Sequence, residues 1–199
     1  MKPFELKNDV LTIYRDITEL DIFVKDFLEI LKKHSDYLVV SGFVSIATGR
    51  TRGTEDVDVL FPLLSKEKNT LLIKELQKNN FWCFQGDTAD EIYPYIKNLE
   101  SIRCAKKDQI YPNIELIPIT HHRKAKYFEF THPQKIIIKN KNLFEFKIPP
   151  LEFEILYKEI ILAGEKDMQD AQHLRTIFAS ILSEKKFKEY RPIIEQELQ

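Results

Sequence analysis

The chain has 199 residues, 43% of them hydrophobic and 31% charged, enough for one sizeable core with a helical appendix and too little for two full-size enzymes. Thirty Lys and Arg against thirty-one Asp and Glu give a net charge of −1, so no overall field draws the molecule to nucleic acid or an anionic membrane, and any such partner needs a local patch. No stretch reaches the roughly 18 uncharged apolar residues of a membrane span. The opening MKPFELKNDVLTIYRD has no apolar leader core, and Cys83 and Cys104 lie far apart without a CxxC pairing, so a reducing, cytoplasmic setting is expected.

Residues 18–34, TELDIFVKDFLEILKKH, carry Leu20, Phe23, Phe27, Ile30 and Leu31 at helical spacing, with Thr18 and Asp21 as candidate caps. Tyr37 to Val40 reads as a buried strand ending at Ser41-Gly42, and Phe43 to Thr48 as a short helix. Val57 to Phe61 is strand-like and is stopped by Pro62, after which Ser65 caps a helix running through Lys78. A strand over 81–84, a helix over 87–99, an extended stretch over 101–105 and a strand over 113–119, NIELIPI, follow. KIIIKN and LFEFKI, separated by polar Asn140-Lys141-Asn142, predict a hairpin over 134–147. Pro149-Pro150 marks the expected boundary between an α/β part over 1–148 and a helical part over 149–199. The latter is read as two helices, 151–163 and 165–187, divided by Gly164, with a last one near 192–198.

Glycine is scarce, five residues in all against a usual share of about 7%. Three of them, Gly42, Gly49 and Gly53, fall within residues 41–60, SGFVSIATGRTRGTEDVDVL. A chain sparing with glycine uses it where backbone turns sharply or comes close to another group, phosphate among them. Just beyond, Asp56 and Asp58 are two apart on a strand, so their carboxylates leave one face together while Val57 and Val59 enter the core. Like charges so close repel without a cation, and a hard divalent ion is the ordinary compensation, suited to phosphoryl or nucleotidyl transfer. A strand with one polar face also yields such a triplet. The conjunction of buried strand, Ser-Gly turn, short helix, basic Gly-Arg-Thr-Arg-Gly loop and DxD strand sets this one apart.

On these residues the stretch resembles the signature of the DNA polymerase β-like nucleotidyltransferase superfamily, a Gly-Gly or Gly-Ser turn and helix followed by a strand bearing Asp-x-Asp. Its GRTRGTEDVDV segment is most similar to the minimal and AbiEii-like members. The resemblance covers roughly residues 37–119 and, more loosely, 151–175. It implies an α/β (α+β) nucleotidyltransferase fold, a mixed sheet flanked by helices with a C-terminal helical part. It implies Mg2+- or Mn2+-dependent transfer of a nucleoside monophosphate from an NTP to a hydroxyl acceptor, an RNA end, a protein or a small molecule, with release of pyrophosphate. The metal site it implies is Asp56, Asp58 and, from NIELIPI, Glu115, which also serves as base. A solvent-facing glutamate on a strand is the plain alternative for Glu115.

The turn reads Ser41-Gly42-Phe43 where a second small residue is usual, with Phe43 either crowding a phosphate or packing inward, and the third acid is Glu where Asp is commoner. These departures keep open the same fold without turnover, a nucleotide-binding or toxin–antitoxin-like module. A metal-dependent phosphatase or nuclease is the weaker third option. Ser41, Gly42, Arg50 and Arg52 are candidates for holding the triphosphate, the guanidinium groups as bidentate clamps; solvation or salt bridges to Glu55 and Asp56 explain the arginines as well. Lys158, the single cation in ILYKEIILAG, implies a specific anionic partner, and the resemblance assigns it the nucleotide. Lys166, Asp167 and Asp170 either face that nucleotide or form a capped, solvated helix face. His121-His122-Arg123-Lys124, with Lys126, lacks the further ligands of a zinc site and reads as a basic edge. Tyr93, Tyr95, Tyr111 and Tyr127 suit base stacking or ordinary packing.

Overall fold

A computed structural model describes residues 3–198. The first elements are β1 (Phe4–Lys7), β2 (Val10–Ile13), α1 (Glu19–Leu31), β3 (Leu38–Val39), α2 (Gly42–Ala47), β4 (Asp56–Pro62), α3 (Lys66–Lys78), β5 (Phe81–Cys83) and α4 (Ala89–Lys97). There follow β6 (Ile102–Lys106), β7 (Asn113–Ile119), α5 (Lys124–Thr131), β8 (Gln134–Lys139), β9 (Leu143–Ile148), α6 (Leu151–Tyr157), a π-helical segment (Lys158–Leu162), α7 (Glu165–Phe178) and α8 (Glu184–Glu195). The chain divides into two compact units interleaved along the sequence. One takes in residues up to Ile17, Leu38–Arg52 and the chain from His121; the other takes in Thr18–Tyr37 and Gly53–Thr120.

In the second unit, strands run in the order β4–β7–β6–β5. β4 and β7 are parallel, and β7, β6 and β5 are antiparallel, a mixed sheet. One face is closed by Val57, Val59, Ile114, Leu116 and Cys104, each fully buried. α1 lays Phe23 and Phe27 against Phe81, with ring centroids 6.0 and 5.2 Å apart, so its 3.6-residue apolar stripe ends in the core. Cys83 and Cys104, distant in sequence and without a pairing motif, are in fact register partners on β5 and β6, both thiols free. Burial pushes the Cys104 thiol up, and the neighbouring Cys83 adds to it.

The caps foreseen for α1 form a closed pair. Thr18 Oγ accepts from the Asp21 amide at 3.2 Å, and Asp21 Oδ2 accepts from the Thr18 amide at 2.8 Å. Thr18→Ala removes one partner of this box and is expected to lower stability by about 1 kcal/mol, read as a shift of the urea midpoint at unchanged slope.

In the first unit the order is β1–β2–β8–β9, with β2 and β8 parallel and the other pairs antiparallel. The expected hairpin forms as β8 and β9, alternately buried along both strands. A second hairpin, β1–β2, was not foreseen, since each strand is only four residues long and β1 is mostly exposed. Its signal lay in the two residues between them: Asn8 and Asp9 both have positive φ, 51° and 62°, as a type I′ turn requires. Phe43 of α2 is fully buried and lies 5.6 Å from the Phe146 ring of β9, so it packs inward.

The helix expected over 165–187 breaks after Phe178, and the one expected to begin near Pro192 begins instead at Glu184. Ser183 caps α8 by accepting from the Lys186 amide, and Phe187, Tyr190 and Ile194 form its buried stripe. That stripe carries the helix through Pro192. No helix among the described residues is long and apolar enough to cross a membrane.

Candidate active site

Asp56 and Asp58 stand on the face of β4 opposite its valines, each half-buried, as strand alternation dictates. The parallel register sets Glu115 of β7 beside Asp58, so the three carboxylates singled out in the sequence share one sheet face. The antiparallel register then sets Arg103 of β6 beside Glu115. Arg103 donates through Nη2 and Nε to Glu115 Oε2 at 3.0 and 3.4 Å, and its Nη2 is 3.9 Å from Asp56 Oδ2. Ser101 donates its hydroxyl to Glu115 Oε1 at 2.6 Å. The bond to Glu115, and further the charges of Asp56 and Asp58, hold the Arg103 guanidinium above its ordinary value.

Arg103 and Ser101 are the functional neighbours the sequence reading missed. Their signal is the alternation of SIRCA, which turns Ser101 and Arg103 away from buried Ile102 and Cys104. Among the described residues no group of three or more His, Cys, Asp and Glu is gathered closely enough to hold a metal ion. Asp56 and Asp58 offer adjacent hard oxygen donors that suit a divalent ion, whereas both Glu115 oxygens are engaged by Ser101 and Arg103. Thr54 donates to the Asp56 carbonyl at 2.7 Å, a local backbone role.

The basic candidates lie in the first unit. Ser41 precedes α2 at φ 64°, in the left-handed region, without a side-chain cap bond. A Cβ on Gly42 would lie 2.7 Å from Arg52 Nη2, so only glycine leaves that guanidinium in place. Arg52 Nη1 donates to Asp170 Oδ2 at 2.7 Å. Arg50 donates to Asp170 Oδ1 and, at 2.7 Å, to Gln169 Oε1. Burial and the neighbouring Arg52 charge lower the Arg50 guanidinium.

Lys158 opens the π-helical segment and is fully buried, its Nζ 3.2 Å from both Asp170 Oδ2 and Glu154 Oε1 and 4.0 Å from Asp167 Oδ1. The anionic partner foreseen for Lys158 is thus present within the chain as Asp170 and Glu154. Asp170 itself is not on a solvated face: it is fully buried and gathers Arg50, Arg52 and Lys158. Lys166 is exposed and Asp167 half-buried.

The basic run after β7 is shorter than its sequence suggests. The His121 and His122 rings lie 4.0 Å apart, tilted by 40°, and Arg123 and Lys124 open α5, a helix that the sequence reading left out. Lys126 turns inward, 3.0 Å from Glu129 Oε1 and 3.9 Å over the Tyr157 ring.

No family model matches the chain, and no curated protein matches it in sequence. Among solved structures, an antigenic nucleotidyltransferase-like protein from Paracoccidioides brasiliensis superposes with a TM-score of 0.54 at 14% identity, over 90% of this chain and 88% of that one. ANT(2")-Ia in complex with adenylyl-2"-tobramycin gives 0.49 at 10% identity over 92% of this chain and 100% of that one. The lincosamide antibiotic adenylyltransferase LnuA, lincomycin-bound, gives 0.47 at 14% identity over 82% and 99%. The first likeness shows a nucleotidyltransferase-like fold; the other two fall below 0.5 and add no weight.

Proposed function

We propose that this chain is a nucleotidyltransferase that moves a nucleoside monophosphate from an NTP to a hydroxyl acceptor on RNA, protein or a small molecule, releasing pyrophosphate. The observation that carries this reading is the register of β4 and β7, which sets Asp56, Asp58 and Glu115 on one sheet face in a chain whose fold is nucleotidyltransferase-like. The acceptor oxygen bonds to the α-phosphorus, its proton passes to the Glu115 carboxylate, and the bond from the α-phosphorus to its bridging oxygen breaks, its electron pair leaving with pyrophosphate. Mg2+ or Mn2+, held by Asp56 and Asp58 with Glu115 alongside, supplies charge neutralisation on the phosphate oxygens when bound. Ser41, Gly42, Arg50 and Arg52 are assigned to the triphosphate, and Lys158, fully buried on Asp170 and Glu154, is assigned to help from the helical part through Asp170. The AbiEii-like affinity of GRTRGTEDVDV and a cytoplasmic setting belong to the same reading.

One observation favours a second reading, NTP binding without turnover as a sensor or toxin–antitoxin-like module: Glu115 already bonds Ser101 and Arg103. Both are tested by titrating each of the four NTPs with and without Mg2+, then following label from α-labelled NTP into RNA, protein and small alcohols. Labelled product that disappears in Asp56→Asn/Asp58→Asn is the expected result. Metal-dependent binding without product selects the second reading, and absence of NTP binding sinks both.

A further inference from the structure

The acidic face of the second unit carries its own cation. Across β4, β7 and β6 the register sets Asp58, Glu115 and Arg103 side by side, and the Arg103 Nη2 lies between two of the acids, 3.0 Å from Glu115 Oε2 and 3.9 Å from Asp56 Oδ2. A guanidinium there meets the need that two neighbouring aspartates and a glutamate create, a positive charge within a few ångströms. The same need is what draws a divalent ion to the pair of aspartates. Two cations at one set of oxygens repel, so occupancy by one weakens the other.

We infer that Arg103 is a resident counter-cation that competes with a divalent metal ion for the Asp56, Asp58 and Glu115 face, so that metal binding requires its guanidinium to be displaced from Asp56 and Glu115. This deepens the proposed function and rests on its metal site. It assigns Arg103 a positioning role: it keeps the Glu115 carboxylate aimed when the metal is absent, and it sets how much metal the site requires. Binding the ion and docking the arginine are then linked, and each weakens the other by the same factor.

The test is calorimetric titration of the apo-protein with Mn2+ alone, without nucleotide, in the wild type, Arg103→Gln, Arg103→Lys and Asp56→Asn/Asp58→Asn. The Arg103 side chain is 47% exposed, and the lysine variant keeps a cation at the position should the glutamine variant fold poorly. The expected result is Mn2+ bound about tenfold more tightly by Arg103→Gln than by the wild type, wild-type-like affinity in Arg103→Lys, and binding lost in the double aspartate variant. Equal affinity in the wild type and Arg103→Gln, or tightening in Arg103→Lys as large as in Arg103→Gln, overturns the competition while leaving the metal site intact. No Mn2+ binding in the wild type or in Arg103→Gln overturns the metal site and this inference with it.

Discussion

Asp170→Ala is expected to destabilise the protein by about 3–5 kcal/mol, the usual consequence of removing one partner from a buried ion pair. Asp170 is fully buried and is the common acceptor for Arg50, Arg52 and Lys158. With it gone, Lys158 stays fully buried with Glu154 as its nearest carboxylate and Asp167 at 4.0 Å, and the two guanidinium groups lose their shared anion. Like charges then face one another in a poorly solvated site, where their repulsion is strongest. Removing one of the three cations leaves two on Asp170, so Arg52→Ala is milder. Urea unfolding followed by the fluorescence of the single tryptophan, Trp82, measures both; a loss under 1 kcal/mol for Asp170→Ala contradicts the account.

Glu129 supplies the second large effect, a pH dependence. It is fully buried on α5, and burial pushes its carboxyl from an ordinary 4.5 up to about 7, with Lys126 opposing and Glu154 and Glu197 assisting. Lys126 is held above its ordinary value: burial works against its charge, and Glu129 and Tyr157 outweigh that. Below pH 4.5 Glu129 is protonated folded and unfolded alike and contributes nothing. Between 4.5 and 7 the unfolded chain gives up the proton and the folded one retains it, so stability falls as pH rises and levels off above 7. The total is about 3 kcal/mol at 1.36 kcal/mol per pH unit. The stability of the wild type minus that of Glu129→Gln is therefore expected to drop by this amount from pH 4.5 to pH 8, because the substitution's pH-independent effects cancel. A difference that is flat across this window rules the coupling out.

The sequence by itself determined whatever depends on neighbours a few residues apart. The spacing in TELDIFVKDFLEILKKH fixed α1 and its caps, and the alternation of Asp56 and Asp58 with valines fixed which face of β4 is acidic. The same is true of the hairpin over 134–147. Where the local pattern is short, it fell silent or misled: four-residue β1 and β2 passed unread, and α7 stops at Phe178 although its helical sequence continues. Glycine scarcity pointed to Gly42, and the structure supplies the reason in the Arg52 guanidinium that a Cβ would strike.

Only the tertiary structure decided which charges meet. The pairing of Arg50, Arg52 and Lys158 with Asp170, of Arg103 with Glu115, and the burial of Lys126 against Glu129 are set by strand register and helix packing. No periodicity encodes them, because a charged side chain looks the same in sequence whether it faces water or a buried partner. Its partner is chosen by desolvation: a charge that folding takes out of water must be matched by whatever opposite charge the fold brings within a few ångströms. The interleaving of the two units along the chain has the same origin, since compactness follows long-range contacts rather than chain order. The carboxylates of the proposed reaction were legible one strand at a time; that Glu115 stands beside Asp58 with Arg103 next to it was settled by register alone.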